Sequence, residues 1–226
     1  MDKQQLRLRL FDELSIIVNR NGGWATRQEL ESVNVDGHLY RLLDTTKGIF
    51  NPNWLDTTLS IMSSPKGPYN DVITDSGLLE YAYQSGTTEG VHIKLRQAMK
   101  NQDPLILLRK IDTAVYAPIF PVFIVGDDLV NRKVLVAVDE SLAILGNSIT
   151  QTPLQKQYAE RIVKQRLHQP EFRSRVIRAY ATRCAVCSLA HGELLDAAHI
   201  IPDADSLGVA EVSNGLSLCK IHHTAY

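Results

Sequence analysis

The chain has little of what a secreted or membrane protein needs. Its 226 residues include only three cysteines, too few for the disulfide framework of a secreted domain. No apolar run approaches the roughly twenty residues of a membrane span. The N-terminal sequence MDKQQLRLRLF also lacks the apolar core of a signal peptide. These absences predict a cytoplasmic protein in a reducing compartment, with no membrane partner.

The chain as a whole also has no excess of basic or acidic residues that would indicate a partner, since its net charge is -1 at pH 7. The hydrophobic content of 44% and charged content of 22% are those of an ordinary globular protein, and the length suits one large or two to three small domains. Charge is nevertheless unevenly distributed. Residues 151–183 contain eight basic and two acidic side chains, a local net charge of +6. Such a segment is either a solvated helix face or a phosphate-binding surface.

Residues 1–47 predict a small helical or winged-helix-like module. Apolar residues recur at helical spacing from residue 3 to about residue 20, and an Asn-Gly-Gly sequence ends that helix. Thr26 and Glu29 have the spacing of a capping box, which indicates a short second helix. This module either contacts DNA or, as we favour, caps the next domain.

The middle of the chain is rich in short β-type runs separated by turn residues. Residues 48–140 therefore predict a compact mixed β barrel, interrupted by one helix from Val91 to Lys100. Residues 141–170 predict a linker and then a basic helix from Leu154 to about Leu167, which breaks near Pro170.

All three cysteines lie in one metal-binding pattern near the C-terminus. Cys184 and Cys187 form a C-x2-C pair, and Cys219 and His222 form a C-x2-H pair after 31 intervening residues. Two residues between ligands allow a tight turn to direct both side chains at one tetrahedral ion. The alternative is a pair of buried thiols with an unrelated cysteine and histidine. We favour a structural Zn2+ site because no cysteine is left over.

Between these two pairs stand His199, in LDAAHIIP, and Asn214, in NGL, while His223 follows directly after His222. With the lead-in FRSRVIRAYATRCAVC, the segment resembles the HNH endonucleases of the ββα-metal type that carry a zinc knuckle. The resemblance covers about residues 172–226, and we assign residues 171–226 to such a domain.

The resemblance implies a role for each of these side chains. His199 would end the first strand and act as the general base that deprotonates water. His223, on the closing helix, would hold a catalytic Mg2+ or Mn2+ ion. Asn214, in the loop before the second strand, would tie down that loop or assist the metal.

This sequence departs from the family pattern at two places. Ala198 stands where many members carry a metal ligand. Asp196 is either a substitute ligand or an ordinary charge at the strand start, and strand alternation predicts that it faces away from His199. The chain also ends at Tyr226, three residues after His223, so we expect a truncated domain or a loosely held metal.

The middle region has a second resemblance, carried by PYNDVITDSGLLEYAYQSG, HIKLRQAMKNQDPLILLRKI and PVFIVGDD. It is similar to the SRA (YDG) domain, which reads modified cytosine in DNA. The resemblance implies that Tyr69, Tyr81 and Tyr83 sandwich a flipped base while Asp71 reads its edge. The alternative, which we favour slightly, is that Tyr81 and Tyr83 are half-buried core residues on one face of a strand. A departure is HIKL, which stands where these domains carry Asn-x-x-Leu.

Together these features predict an α+β protein with an N-terminal helical module, an SRA/PUA-like mixed β barrel, a helical arm and a C-terminal ββα-metal HNH zinc domain. This order resembles the McrA-like class of modification-dependent restriction endonucleases. It implies hydrolysis of double-stranded DNA, with 5-methyl- or 5-hydroxymethylcytosine as the feature read, and phosphate contacts from Arg173, Arg175 and Arg178. Cutting both strands would favour a homodimer. Two alternatives stay open: an inactive, zinc-stabilised DNA-binding fold, and a nuclease whose middle domain reads unmodified DNA or a nucleotide signal.

Overall fold

The computed structural model describes residues 1–44, 46–64, 72–74, 76–82, 90–145, 152–203, 205 and 207–226. It confirms the α+β class: an N-terminal helix, a curled mixed sheet and a C-terminal HNH region that forms a small ββα unit. Within these ranges no helix has both the length and the apolar character that crossing a membrane requires.

The helices are α1 (Lys3–Asn21), α2 (Arg27–Leu30), α3 (Val91–Asn101), α4 (Glu140–Leu145), α5 (Pro153–Val163), α6 (Gln169–Ala179) and α7 (Lys220–Ala225). The strands are β1 (Ala25–Thr26), β2 (Val33–Val35), β3 (His38–Tyr40), β4 (Ile49–Phe50), β5 (Ser60–Ser63), β6 (Val72–Ile73), β7 (Leu79–Ala82), β8 (Leu105–Asp112), β9 (Val115–Asp128), β10 (Lys133–Ala137), β11 (Leu195–His199) and β12 (Gly215–Cys219).

The main sheet has the order β4-β5-β8-β9-β10-β7-β6, with β1 paired to β9. Strand β8 lies inside the sheet, and its first five residues are buried. Leu105 and Leu107 pack in a core with α3, α4 and α5, whereas Ile106 and Leu108 pack in a second core with α1. Because successive strand residues point to opposite faces, a continuous apolar run is what such a strand requires.

Strand β9 is one strand of 14 residues that continues through Pro121, although the sequence predicted short runs separated by turn residues. The chain passes through Pro121 because β9 exchanges partners there. It pairs with β8 up to Val122 and with β10 from Phe123, and the register against β8 shifts at the same point. A residue at such an irregularity needs no ladder N–H, which proline lacks.

The helical arm also differs from its prediction. Part of the expected linker is helix α4, because Leu142 is fully buried in the core of the sheet. Pro170 does not interrupt the helical path but lies in the first turn of α6. The residues before it, Lys164–His168, form a π-helical turn that joins α5 to α6. This wider turn relieves the clash that a proline ring makes with the preceding turn.

The N-terminal module is confirmed as α1 followed by α2, which begins at Thr26 with the expected capping box to Glu29. It packs against the C-terminal unit through close backbone contacts. Gly22 ends α1 with φ of 84°, a conformation that favours glycine. At Gly192 a Cβ atom would lie 2.2 Å from the Arg20 carbonyl oxygen, so only glycine permits this approach.

Arg7 joins α1 to the main sheet from a position that is only 1% exposed. Its Nη1 atom donates to the carbonyl oxygens of Thr58 (2.9 Å) and Pro104 (2.8 Å), and its Nη2 atom donates to Thr57 Oγ1 (2.6 Å). Thr57 in turn donates to Asp103 Oδ2 at 2.7 Å. The guanidinium group therefore satisfies several polar groups that water does not reach.

We expect Arg7→Ala to lower the free energy of unfolding by about 3–5 kcal/mol, because it leaves buried polar groups without their hydrogen-bond donor. Arg9→Ala is the matched control on the same helix. Arg9 pairs with Asp36 at 3.0 Å in an exposed setting and should contribute less than about 1 kcal/mol. Urea unfolding of both variants checks this, and equal losses would show that the buried network is not the cause.

Candidate active site

The C-terminal unit consists of β11 and β12, paired antiparallel, and the short helix α7 that follows β12. His199 ends β11 opposite Gly215, Asn214 precedes β12, and His223 lies on α7, as the family resemblance implied. The apolar residues Leu195, Ala198 and Leu218 form a small core with two of the cysteines and with Ile177 of α6, which lies across the unit.

Cys184, Cys187, Cys219 and His222 converge on one point. All four donor atoms lie within 4.8 Å of one another. Cys219 Sγ is 3.2 Å and Cys184 Sγ is 3.5 Å from His222 Nδ1, and the Sγ atoms of Cys187 and Cys219 are 3.9 Å apart. Ligand bonds of about 2.0–2.3 Å to a tetrahedral zinc ion place donors at about these separations. The residues therefore fit a structural Zn2+ ion.

The surroundings of the Cys184 thiol favour its ligating, deprotonated form. Burial acts to raise the pKa of Cys184, but backbone N–H groups of Cys187, Cys219 and Val186 lower that pKa to about 6. At Cys187 the N–H of Leu189 lowers the pKa, but burial and the neighbouring sulfur atoms outweigh it and raise the pKa. A dication bound between the two sulfur atoms would stabilise both thiolates.

His199 lies in a cleft of about 570 Å³ that Asp196, His223 and Arg173 also line. One face of its imidazole stacks on Phe172, with ring centroids 4.0 Å apart and planes inclined by 16°. Its Nε2 atom is buried and has no hydrogen-bond partner among the described residues. The ring is therefore fixed in orientation by packing, while its nitrogen is not committed to another protein group.

Asp196 lies at the centre of the charges in this cleft. Its Oδ2 atom is 3.3 Å from His223 Nδ1 and accepts a hydrogen bond from Lys220 Nζ. Its Oδ1 atom is 3.7 Å from Arg173 Nε. Burial acts to raise the pKa of Asp196, but Lys220, His223 and Arg173 together hold it below its usual range. Asp196 is thus an ionised carboxylate beside an imidazole, a donor pair that a divalent cation accepts when water and phosphate oxygens complete its shell.

Strand alternation predicts that Asp196 faces away from His199, yet both residues line the same cleft. Strand β11 does not alternate regularly: Leu195 and Ala198 are the buried positions, and they are three residues apart. A two-stranded ribbon twists strongly, and its last residue has no continuing strand to fix its direction. Strand parity was therefore a poor guide here.

Asn214 is 6% exposed and is hydrogen-bonded to the loop that follows β11. Its Oδ1 atom accepts from the backbone N–H of Ile201 (2.8 Å), and its Nδ2 atom donates to the carbonyl oxygens of Ile201 (3.0 Å) and Val209 (3.0 Å). Of the two roles that the sequence allowed, this geometry is that of a residue holding the loop after His199.

The three arginines predicted to contact phosphate are all engaged within the protein. Arg173 donates from Nη2 to the carbonyl oxygens of Leu195 (2.7 Å) and Gly192 (3.1 Å), so it holds β11 in place and adds positive charge to the cleft. Burial lowers its pKa, although Asp196 acts in the opposite direction. The other two form ion pairs: Arg175 pairs with Glu171, and Arg178 pairs with Asp112. Only the last pair is substantially exposed, at 40% and 48%, so only there is exchange with a phosphate unhindered.

Of the residues predicted to bind a base, Tyr69, Asp71 and Tyr83 lie outside the described residues. Tyr81 is 5% exposed, belongs to the core of the main sheet, and donates from its hydroxyl to the Gly48 carbonyl oxygen at 3.2 Å. This placement corresponds to the alternative that the sequence analysis favoured, a core tyrosine.

Two residues shape the cleft in ways that the sequence did not indicate. Phe172 belonged only to the lead-in segment, yet it supports the imidazole of His199. Arg173 was expected to contact phosphate, yet it holds β11 and faces Asp196. Both lie more than twenty residues from their partners, so no local pattern indicates these contacts. The only available signal was their position in the lead-in helix next to the family segment.

Residues 184–226 match the family model of the HNH endonucleases. A search of curated proteins gives no match. Among solved structures, the SRA domain of SUVH5 in complex with fully methylated CG DNA is similar at 18% identity, covering 50% of this chain and 83% of that one with a TM-score of 0.35. The modification-dependent restriction endonuclease TagI is similar at 16% identity, covering 88% of this chain and 74% of that one with a TM-score of 0.33. The HNH resemblance of the C-terminal segment is thereby confirmed.

We expect Cys184→Ser to lose bound zinc and to lower the free energy of unfolding by at least about 2 kcal/mol, because metal binding supports folding of this unit. For a chain of this length that is a fall in Tm of roughly 4–8 °C. Thr224→Ala, an exposed change on α7, is the control. Metal content and thermal unfolding should be measured together, and an unchanged Tm in the zinc-free variant would contradict a structural role for the ion.

Proposed function

We propose that this protein is a restriction-type DNA endonuclease that hydrolyses phosphodiester bonds at the cleft formed by His199, Asp196 and His223. The observation that carries the proposal is the convergence of these three side chains beside a Cys3His site, within a segment that matches the HNH endonuclease family. An imidazole, a carboxylate and a second imidazole supply a base and metal ligands in one place.

The residues divide the chemistry between them. His199, held flat on Phe172, accepts the proton of the attacking water. Asp196 and His223 would hold a Mg2+ or Mn2+ ion, which when bound neutralises charge on the scissile phosphate and on the leaving oxygen. Lys220 forms an ion pair with the Asp196 carboxylate in this structure, so the lysine side chain must turn away when a cation binds there. Arg173 keeps β11 and Asp196 in place throughout.

We infer that the middle domain selects the DNA, with 5-methyl- or 5-hydroxymethylcytosine as the feature read. The support is the sequence resemblance to SRA domains: Asp71 directly precedes β6 in the chain, and Tyr83 directly follows β7. With Tyr81 in the core, the candidates for stacking on a flipped base are Tyr69 and Tyr83, and Asp71 is the candidate for reading its edge. Cleavage of both strands by such a one-strand module would require two copies of the chain.

One observation favours a second candidate function. Asp196 is paired with Lys220 and with Arg173, an arrangement in which it needs no metal. A chain that kept this arrangement on DNA would be a zinc-stabilised DNA-binding protein without cleavage. Metal-dependent cutting separates the two candidates, because only the nuclease cuts DNA when Mg2+ or Mn2+ is added.

We expect His199→Ala to slow cutting of duplex DNA by at least about 100-fold, the contribution typical of a general base, while zinc content and DNA affinity stay unchanged. His191→Ala is the matched control, since His191 belongs to the same unit but is exposed and pairs only weakly with Glu193, at 3.8 Å. For each variant, DNA cleavage should be measured in Mg2+ or Mn2+, and DNA binding should be measured in EDTA. If the purified His199 variant cut at the normal rate, His199 would not be the base.

We expect Tyr83→Ala to weaken binding of modified duplexes by about 1–3 kcal/mol, the contribution of one base-stacking ring, and to leave binding of unmodified duplexes unchanged. Tyr158→Ala, which removes an exposed ring from α5, is the control. Fluorescence anisotropy with paired duplexes measures both. An equal effect on modified and unmodified DNA would argue against Tyr83 as part of a modified-base pocket.

A further inference from the structure

Four consecutive residues near the start of α6 contact three different parts of the protein. Glu171 pairs with Arg109 of the main sheet, and Phe172 stacks on His199. Arg173 binds backbone and carboxylate groups of β11, and Ser174 donates to the Gly23 carbonyl oxygen, at 2.6 Å, beyond the end of α1. One turn of helix therefore joins the N-terminal module, the main sheet and the cleft.

The contacts toward the cleft fix both halves of the candidate chemistry. Phe172 is 4% exposed and sets the plane of the base, His199. Arg173 donates to the Leu195 carbonyl oxygen at 2.7 Å and faces Asp196 at 3.7 Å, so it sets where the carboxylate stands. Because a misplacement of about 1 Å can slow a reaction about 100-fold, a small shift of α6 would change cutting.

The contact toward the sheet is a buried ion pair. Arg109 Nη2 is 3.2 Å from Glu171 Oε2, and the two side chains are 8% and 12% exposed. Arg109 Nη1 also donates to Ser63 Oγ at 2.8 Å. Ser63 ends β5, and the segment that follows it in the chain contains Tyr69 and Asp71, the candidate base-reading residues.

We propose that Glu171 is a positioning residue that makes the geometry of the cleft depend on the state of the reading domain. A change at the end of β5 moves Arg109, the buried pair transmits this to Glu171, and the next two residues carry it to His199 and Asp196. A buried charge pair suits this task, because neither partner tolerates separation in an apolar setting. The proposal rests on the proposed function, in which the middle domain reads DNA and the cleft cuts it.

The test is the double variant Arg109→Met/Glu171→Met, which removes both charges of the buried pair and leaves only Arg175, one third exposed, without its partner, so it should keep the fold. Single-turnover cutting is measured on matched modified and unmodified duplexes, with Kd from anisotropy. We expect cutting of modified DNA to slow by about tenfold, a coupling of ordinary size, while cutting of unmodified DNA and both Kd values stay unchanged.

Arg166→Met is the matched control. Arg166 links the same helical arm to the sheet side by an ion pair with Asp139, at 3.3 Å, but lies outside the first turn of α6. It should leave the ratio of the two cutting rates unchanged. Glu171→Gln, which keeps the side-chain volume and an acceptor for Arg109, is a second variant and should lower the same ratio by a smaller factor.

The outcomes are distinguishable. If the wild-type protein prefers modified DNA and the double variant retains that preference, this inference is overturned and the proposed function stands. Equal slowing on both substrates would overturn it too, since that is the result of a purely structural defect. If the wild-type protein cuts both duplexes equally, the proposed reader fails and the inference fails with it.

Discussion

The close packing of α6 against its neighbours is the constraint on which the cleft depends. Val176 and Ile177 are fully buried on this helix. A Cβ atom at Gly215 would lie 2.4 Å from Val176 Cγ2, and one at Gly22 would lie 2.6 Å from Ile177 Cγ2. Glycine thus permits β12 and the end of α1 to approach the helix directly. Because interiors this dense transmit displacement, the direction of α6 and the shape of the cleft are set together.

The ββα unit has too little apolar material to hold this geometry by itself. Among the described residues its core contains six buried side chains, of which Ile177 comes from α6 and two are the cysteines Cys184 and Cys219. A core this small contributes little to the free energy of folding, and small domains compensate with bound metals or disulfides. A zinc ion on the Cys3His site would tie β12 and α7 to the turn after α6. The structural metal and the catalytic cleft therefore belong to one arrangement, in which His222 faces the first and His223 the second.

The sequence predicted features that depend on local patterns. Helical spacing located α1, the capping box located the start of α2, and ligand spacing located the Cys3His site. Prediction was wrong where residues distant in the chain determine the local structure. The path of β9 through Pro121 depends on the strands beside it, and the orientation of Asp196 depends on the twist of a two-stranded ribbon. Contacts such as Phe172 with His199 carry no sequence signature, because the chain between them is 26 residues long.

We propose that this chain reads modified DNA and cuts it with a metal-dependent HNH site. The most direct measurement is cleavage of three matched duplexes, containing cytosine, 5-methylcytosine or 5-hydroxymethylcytosine, by the zinc-loaded protein in Mg2+ or Mn2+ and in EDTA. We predict cutting of one or both modified duplexes that requires the added cation and stops in EDTA. Selective binding without cutting under any of these conditions would contradict the nuclease, and equal cutting of all three duplexes would contradict the reader.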